Sequence, residues 1–166
     1  MLTRYVSIRR KLVTWRQFSL LEQGWFLPVW MLLGICRFAL LVIPFRLLAP
    51  LLGSHQGINI FIPLISDVQR SRAWCIGRTV RVAACYTPWE SKCLAQAMTA
   101  RILLGFYRIP YAFYFGVSKE KESKMQAHAW ICAGPVRVTG GTSFGQFTVV
   151  GTFVARWLDL APCKHV

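Results

Sequence analysis

Acidic residues are scarce: six Asp and Glu stand against 20 Lys and Arg, giving a formal net charge of +14. Such an excess favours anionic partners, whether nucleic acid, an acidic peptide or the inner leaflet of a membrane. The basic residues are scattered, however, and Arg9-Arg10-Lys11 is the only tight cluster. Zinc-finger spacing and RNA-binding aromatic motifs are both missing, so no nucleic-acid partner is expected. Any Cys-x-x-Cys pair is missing too. The six cysteines (36, 75, 85, 93, 132 and 163) and three histidines (55, 128 and 165) are widely separated, without metal-ligand spacing, so neither a metal nor another cofactor is expected. Free thiols in a reducing compartment, the cytoplasm, fit this usage. No internal repeat is visible. No small-residue cleavage site follows the first apolar run, which begins too late for a secretory signal.

What the 166 residues do have is apolar content, 55% of the chain, ample for a core. One compact domain with an added element is expected: a basic, apolar helical segment over residues 1–66 and a main domain over 67–166. Residues 8–23 read as a basic amphipathic helix. From Trp25 to Phe45 the chain is apolar apart from Arg37, with Pro28 and Pro44 as punctuation. That run is long enough to span a bilayer, and a central Arg costs only about 2.5–3.5 kcal/mol on the insertion scale. The basic residues from Arg4 to Arg16 would hold the N-terminus inside, so a single span would export everything after it. A helical pair docked on the domain, or lying at the inner face of the membrane, is therefore preferred. Residues 53–66 read as a linker, with His55 in a surface loop.

Residues 67–85 carry helical spacing, with Val68, Trp74 or Cys75, Val82 and Cys85 as the candidate inner face. Thr87-Pro88-Trp89-Glu90 fits a capping box, with Ser91 as a competing N-cap; under either, Cys93 falls in the first two turns of a helix running to about Leu104. Tyr111–Val117, Ala127–Ala133, Val136–Thr139 and Gln146–Val154 are strand candidates, separated by a charged loop at 118–126 and glycine turns at Gly134-Pro135 and Gly140-Gly141. The fold class is α+β, a helix followed by an antiparallel meander.

Within this order, Cys93 opens a helix and His128 follows 35 residues later on a strand. A Cys–His pair needs such a layout, since its members are neighbours in space and not in sequence. A helix N-terminus also favours a thiolate. A free cysteine is more often a small buried hydrophobe, so the pair alone does not decide the matter.

The wider pattern goes further. Trp89-x-Ser91-x-Cys93-Leu94-x-Gln96-Ala97, then Ile109-Pro110, Phe115-Gly116-Val117, His128-Ala129-Trp130 and Gly140-Gly141 together resemble one family. It is the transglutaminase-like cysteine peptidase of lasso-peptide biosynthesis, which removes the leader from the precursor. The resemblance covers about residues 70–154 and, more loosely, the apolar helical N-terminus. It implies a transglutaminase-like or papain-like peptidase core with Cys93 as nucleophile and His128 as its acid–base partner. Candidate oxyanion or cleft residues are the Cys93 backbone N–H, Gln96, Trp89 and Trp130; a solvated Gln96 is an equally open reading, and the tryptophans read as core or cleft wall rather than chemistry. Many relatives carry an Asp about a dozen residues after the His, where this chain has Gly140, and the residue four after the His, often Glu, is Cys132. No acid lies between Glu122 and Asp159. The orienting group would then be Thr139, Thr142, Ser143, a backbone carbonyl or Asp159.

The resemblance further implies a cytoplasmic maturation step with three partners: the precursor peptide, a separate leader-recognition protein, and an asparagine-synthetase-like cyclase that closes the macrolactam. Residues 1–66 do not resemble the recognition domain of fused relatives. Two other classes remain: a transglutaminase-like acyltransferase or peptide ligase, and a non-catalytic membrane-associated binding protein with a degenerate site.

Overall fold

The computed structural model describes residues 20–119, 125–141 and 146–155. Its first element, α1 (Leu20–Val42), is built from the apolar run. Val29, Leu33 and Cys36, spaced to share one helix face, are buried and pack with α3 (Asp67–Ala84) and α4 (Cys93–Phe106). The opposite stripe, Leu27, Met31, Ile35, Phe38 and Leu41, is exposed. Polar contacts fix the docking: buried Glu22 pairs with Arg78 of α3 at 3.5 Å, and Trp25 Nε1 donates to Tyr107 Oη at 2.6 Å. Pro28, expected to punctuate the chain, lies inside α1 instead. The helix expected over residues 8–23 falls mainly outside the described residues.

Pro44 caps α2 (Phe45–Leu52), which buries Leu48 and Leu52 in the same core. The segment expected as a linker contributes a short edge strand, β1 (Ser54–His55), and the Tyr114 hydroxyl donates to the Phe61 carbonyl. His55 is exposed, its ring edge-on to Phe153. Residues 20–66 are thus docked on residues 67–155 through a shared core.

A capping box between Ser66 and Gln69 starts α3. Its inner face differs from the one expected. Val68 and Trp74 are exposed, while Ala73, Ile76, Gly77, Thr79, Val80 and Ala83 are buried. The reason is distance of approach: a Cβ at Gly77 would stand 2.5 Å from the Val138 carbonyl oxygen, so small residues let this helix lie directly on the chain after the sheet hairpin.

Strands β2 (Ala112–Lys119), β3 (Met125–Ala133), β4 (Val136–Arg137) and β5 (Thr148–Val154) complete an antiparallel sheet in the order β1-β5-β2-β3-β4. The arrangement is α+β, as expected. It is not a simple meander: after β4 the chain returns across the sheet, and β5 pairs with β2 on the side away from β3. The turn at Gly134-Pro135 does join β3 to β4. Tyr111, Phe113 and Ile131 bring the sheet into one core with α1 to α4.

Candidate active site

Thr87 does not cap a helix. Its Oγ1 lies 2.9 Å from each of the Ala84 and Trp89 carbonyl oxygens and Ser91 Oγ, which ties residues 84–91 into a compact turn. The helix starts five residues later than the Thr87-Pro88 signal suggested: Lys92 is the N-cap and Cys93 the first residue of α4. As the first helical residue, Cys93 has a backbone N–H without an intrahelical partner, and its side chain lies in the positive end of the helix dipole. The Cys93 side chain is half-buried.

Two of the residues singled out from the sequence shape this turn. Gln96 Nε2 donates to the Ser91 carbonyl at 2.7 Å, so its side chain holds the loop before the helix. Trp89 packs on Trp30 of α1 with centroids 4.9 Å apart, and its ring lies against Gly34. Neither Gln96 nor Trp89 lines the cavity that contains Cys93. The Trp89 indole nitrogen is buried with no hydrogen-bond partner among the described residues.

His128 is carried by β3, opposite Gly116 of β2. Its Nε2 lies 2.9 Å from the carbonyl oxygen of Gly140. A carbonyl only accepts, so Nε2 carries the hydrogen, and Nδ1 is left as the basic nitrogen of the neutral ring. Aromatic rings fix the imidazole from the sides: Trp130 stacks at 5.8 Å and Phe147 leans on it at 4.9 Å. Trp130 is itself buried against Tyr114, so its role is to brace the histidine. Among the described residues, the hydrogen-bond partner of the imidazole is thus the Gly140 carbonyl. Thr139 does not fill that role, because its hydroxyl is buried with no hydrogen-bond partner among the described residues. Thr142, Ser143 and Asp159 lie outside the described residues.

Gly140 occupies this place for a conformational reason. Its φ is +97°, and a Cβ there would stand 2.3 Å from Trp130 Cβ and 3.3 Å from His128 Nε2. The space that an aspartate would need is filled by the histidine's own supports.

Cys93 and His128 line one cavity of about 520 Å³, together with Arg37, Leu40, Ile43, Phe45, Lys92, Leu94 and Phe115. Sequence reasoning missed most of these walls. They come from α1, α2 and β2, elements whose meeting point no local pattern reveals. Among the described residues no cluster of His, Cys, Asp and Glu is suited to a metal ion.

The other described thiols have different surroundings. Burial pushes the Cys132 thiol up to about 11, against a smaller downward pull from Arg137. Burial also raises Cys36, with a hydrogen bond from Thr99 opposing it, and it raises Cys75, with the nearby Glu22 carboxylate adding to the effect. Cys85 is exposed at the end of α3. All five described cysteines are free thiols.

Comparison with curated proteins finds no match, and comparison with solved structures finds none either. A family model does match: the transglutaminase-like superfamily, over residues 39–152. The match runs from the last turn of α1 into β5, including Cys93, His128 and Gly140, and it is compatible with cysteine peptidase or acyltransferase chemistry. The chain belongs to the transglutaminase-like superfamily.

Proposed function

We propose that this protein is a cysteine peptidase that removes the leader peptide from a ribosomally made lasso-peptide precursor. The observation that carries the reading is the convergence of Cys93, at the start of α4, and a carbonyl-anchored His128 on the walls of one cavity. The motif resemblance supplies the substrate class.

In this reading the Cys93 thiol gives its proton to Nδ1 of His128, and the thiolate attacks the carbonyl carbon of the scissile bond. The developing oxyanion accepts a hydrogen bond from the Cys93 backbone N–H, aided by the helix dipole. The imidazolium is held by its Nε2–H to the Gly140 carbonyl. It returns its proton from Nδ1 to the leaving amine as the C–N bond breaks, which leaves a thioester on Cys93. Water, deprotonated by His128, then attacks the thioester and releases the leader as a free acid. If an added amine replaced water in that last step, the same residues would perform acyl transfer. The leader's terminus distinguishes the two: a free carboxylate marks hydrolysis and an amide marks transfer.

Freeing the core peptide's N-terminal amine prepares it for closure by an asparagine-synthetase-like cyclase. We place the reaction in the cytoplasm, with the outward stripe of α1 in peripheral contact with the inner face of the membrane. Leader recognition falls to a separate small protein. A flexible leader loses ordering entropy with each residue held, and tethering by a partner offsets that loss by raising the local substrate concentration. Precursor cleavage is therefore expected to be slow with this chain alone and at least about tenfold faster with the recognition protein, a floor set below the 10²–10⁴ gain that linked sites reach. A time course at sub-saturating precursor is the check, and equal rates with and without the partner would refute the two-component scheme.

A further inference from the structure

Between Trp25 and Phe45 the sequence allows one charge, Arg37, and the fold turns it into the cavity that holds Cys93 and His128. It stands between two environments. Its neighbour Cys36 is in the core, and Phe38 on its other side is exposed. The cavity wall around it is apolar, made by Leu40, Ile43, Phe45, Leu94 and Phe115. No Asp or Glu lines this cavity among the described residues. The second cation at the rim, Lys92, is paired with Glu90 at 3.1 Å, whereas Arg37 forms no ion pair or hydrogen bond with any described residue.

A guanidinium against apolar walls loses hydration that no described residue replaces. Its planar fork of donors matches a carboxylate, which it grips through two parallel hydrogen bonds. We propose that Arg37 is a specificity-determining residue that receives a carboxylate of the peptide substrate close to the attacked carbonyl, while a bulky apolar side chain beside it packs on the Leu40–Phe45–Phe115 wall. This inference rests on the peptidase reading, because it takes Cys93 as the reacting group. It adds the substrate class: peptides that present an acid and an apolar residue near the reacting bond. The carboxylate belongs either to an Asp or Glu side chain or to a free C-terminus.

Small alkylating reagents test this without the natural precursor. Iodoacetate and iodoacetamide modify a thiolate by the same step, in which sulfur displaces iodide, and they differ in the charge of the group they carry. The rate ratio of iodoacetate to iodoacetamide is measured at Cys93 in the full chain by peptide mass spectrometry. Exposed Cys85 in the same molecule is the internal reference. The expected ratio at Cys93 exceeds that at Cys85, and Arg37→Gln lowers it by about threefold to fivefold, the size of one partly exposed charge contact. Arg37→Lys keeps most of the preference, and added salt weakens it. A second arm separates the two carboxylate sources through protection of Cys93 by three blocked dipeptides. These are acetyl-Leu-Glu-amide, with a side-chain acid; acetyl-Leu-Gln with a free C-terminus; and neutral acetyl-Leu-Gln-amide. Stronger protection by one acidic peptide assigns the source. A ratio indifferent to Arg37, or equal protection by all three peptides or by none, overturns the proposal. If Cys93 resists both reagents while Cys85 reacts, the peptidase reading itself fails and takes this inference with it.

Discussion

Cys93→Ala is expected to bring precursor cleavage down to background, a loss of at least about 10⁴ in turnover, since removal of a covalent nucleophile leaves only binding and oxyanion contacts to act. His128→Ala should cost about 10²–10⁴, the usual weight of a positioned proton carrier. Both proteins should remain folded. The Cys93 side chain is only half-buried at the first turn of α4, and His128 contributes one ring to an aromatic group that keeps Trp130, Phe147 and Tyr114. Cys75→Ser and Cys85→Ser are the matching controls, and both should retain activity, because neither residue lines the cavity. Cys36→Ser is a poorer control, since it places a hydroxyl among buried apolar side chains in the core. The measurement is single-turnover cleavage by purified protein with circular dichroism on the same samples. Full cleavage by the Cys93→Ala protein would end the nucleophile assignment.

Deletion of residues 1–52 is expected to leave a fragment that aggregates. It removes Val29, Leu33, Cys36, Leu48 and Leu52 from the core and strips the cover from α3 and α4. At about 1.5–3 kcal/mol for each large buried side chain, the loss is on the order of 10 kcal/mol, as large as the whole stability of an ordinary domain. The deletion also takes Arg37, Leu40, Ile43 and Phe45 from the cavity wall. Size-exclusion chromatography of the 53–166 fragment is the check, and a monomeric, active fragment would show the segment to be dispensable. The same geometry bears on the proposed contact of α1 with a membrane. It is long and apolar enough to cross one, with 21 suitable residues from Glu22 to Val42. One of its faces is nevertheless committed to α3, whose exposed surface carries Arg70, Arg72 and Arg81, so a span by α1 would pull those charges into the bilayer. Lying flat, with Leu27, Met31, Ile35, Phe38 and Leu41 outward, keeps both constraints.

The parts of this site that were legible in the sequence are those written locally. A cysteine at a helix start and a histidine in a β-branched, aromatic run declare their elements within a few residues, and Gly134-Pro135 declares its turn. Thr87 shows the limit of such reading. As a cap its pattern was sound, but its hydroxyl has carbonyl and hydroxyl partners within the turn, and the helix begins only at Cys93. In α3 the larger residues, Val68 and Trp74, looked like the inner face, yet the close approach of Val138 to Gly77 requires small ones there. The pairing of β5 with β2, the edge strand at Ser54–His55 and the cavity walls from α1 depend on contacts between distant residues. Periodicity carries no information about those.

His128 takes its bearing from a main-chain atom, and a main-chain atom cannot be deleted by changing a codon. The customary experiment on a catalytic third member, replacing its side chain and weighing the loss, has no direct counterpart in this protein. The heritable quantity is the shape of the turn that presents the Gly140 carbonyl, and glycine at a φ of +97° is what sustains that shape. Gly140→Asp, which places a carboxylate beside the histidine, is therefore expected to lower cleavage, because the new Cβ collides with Trp130 before the acid can serve. A comparison of initial rates checks this, and a faster Gly140→Asp enzyme would show that the turn can yield. The anchor also has no proton to gain or lose over the working pH range, so it contributes no ionisation to the rate profile. The orientation of the imidazole is set by the fold.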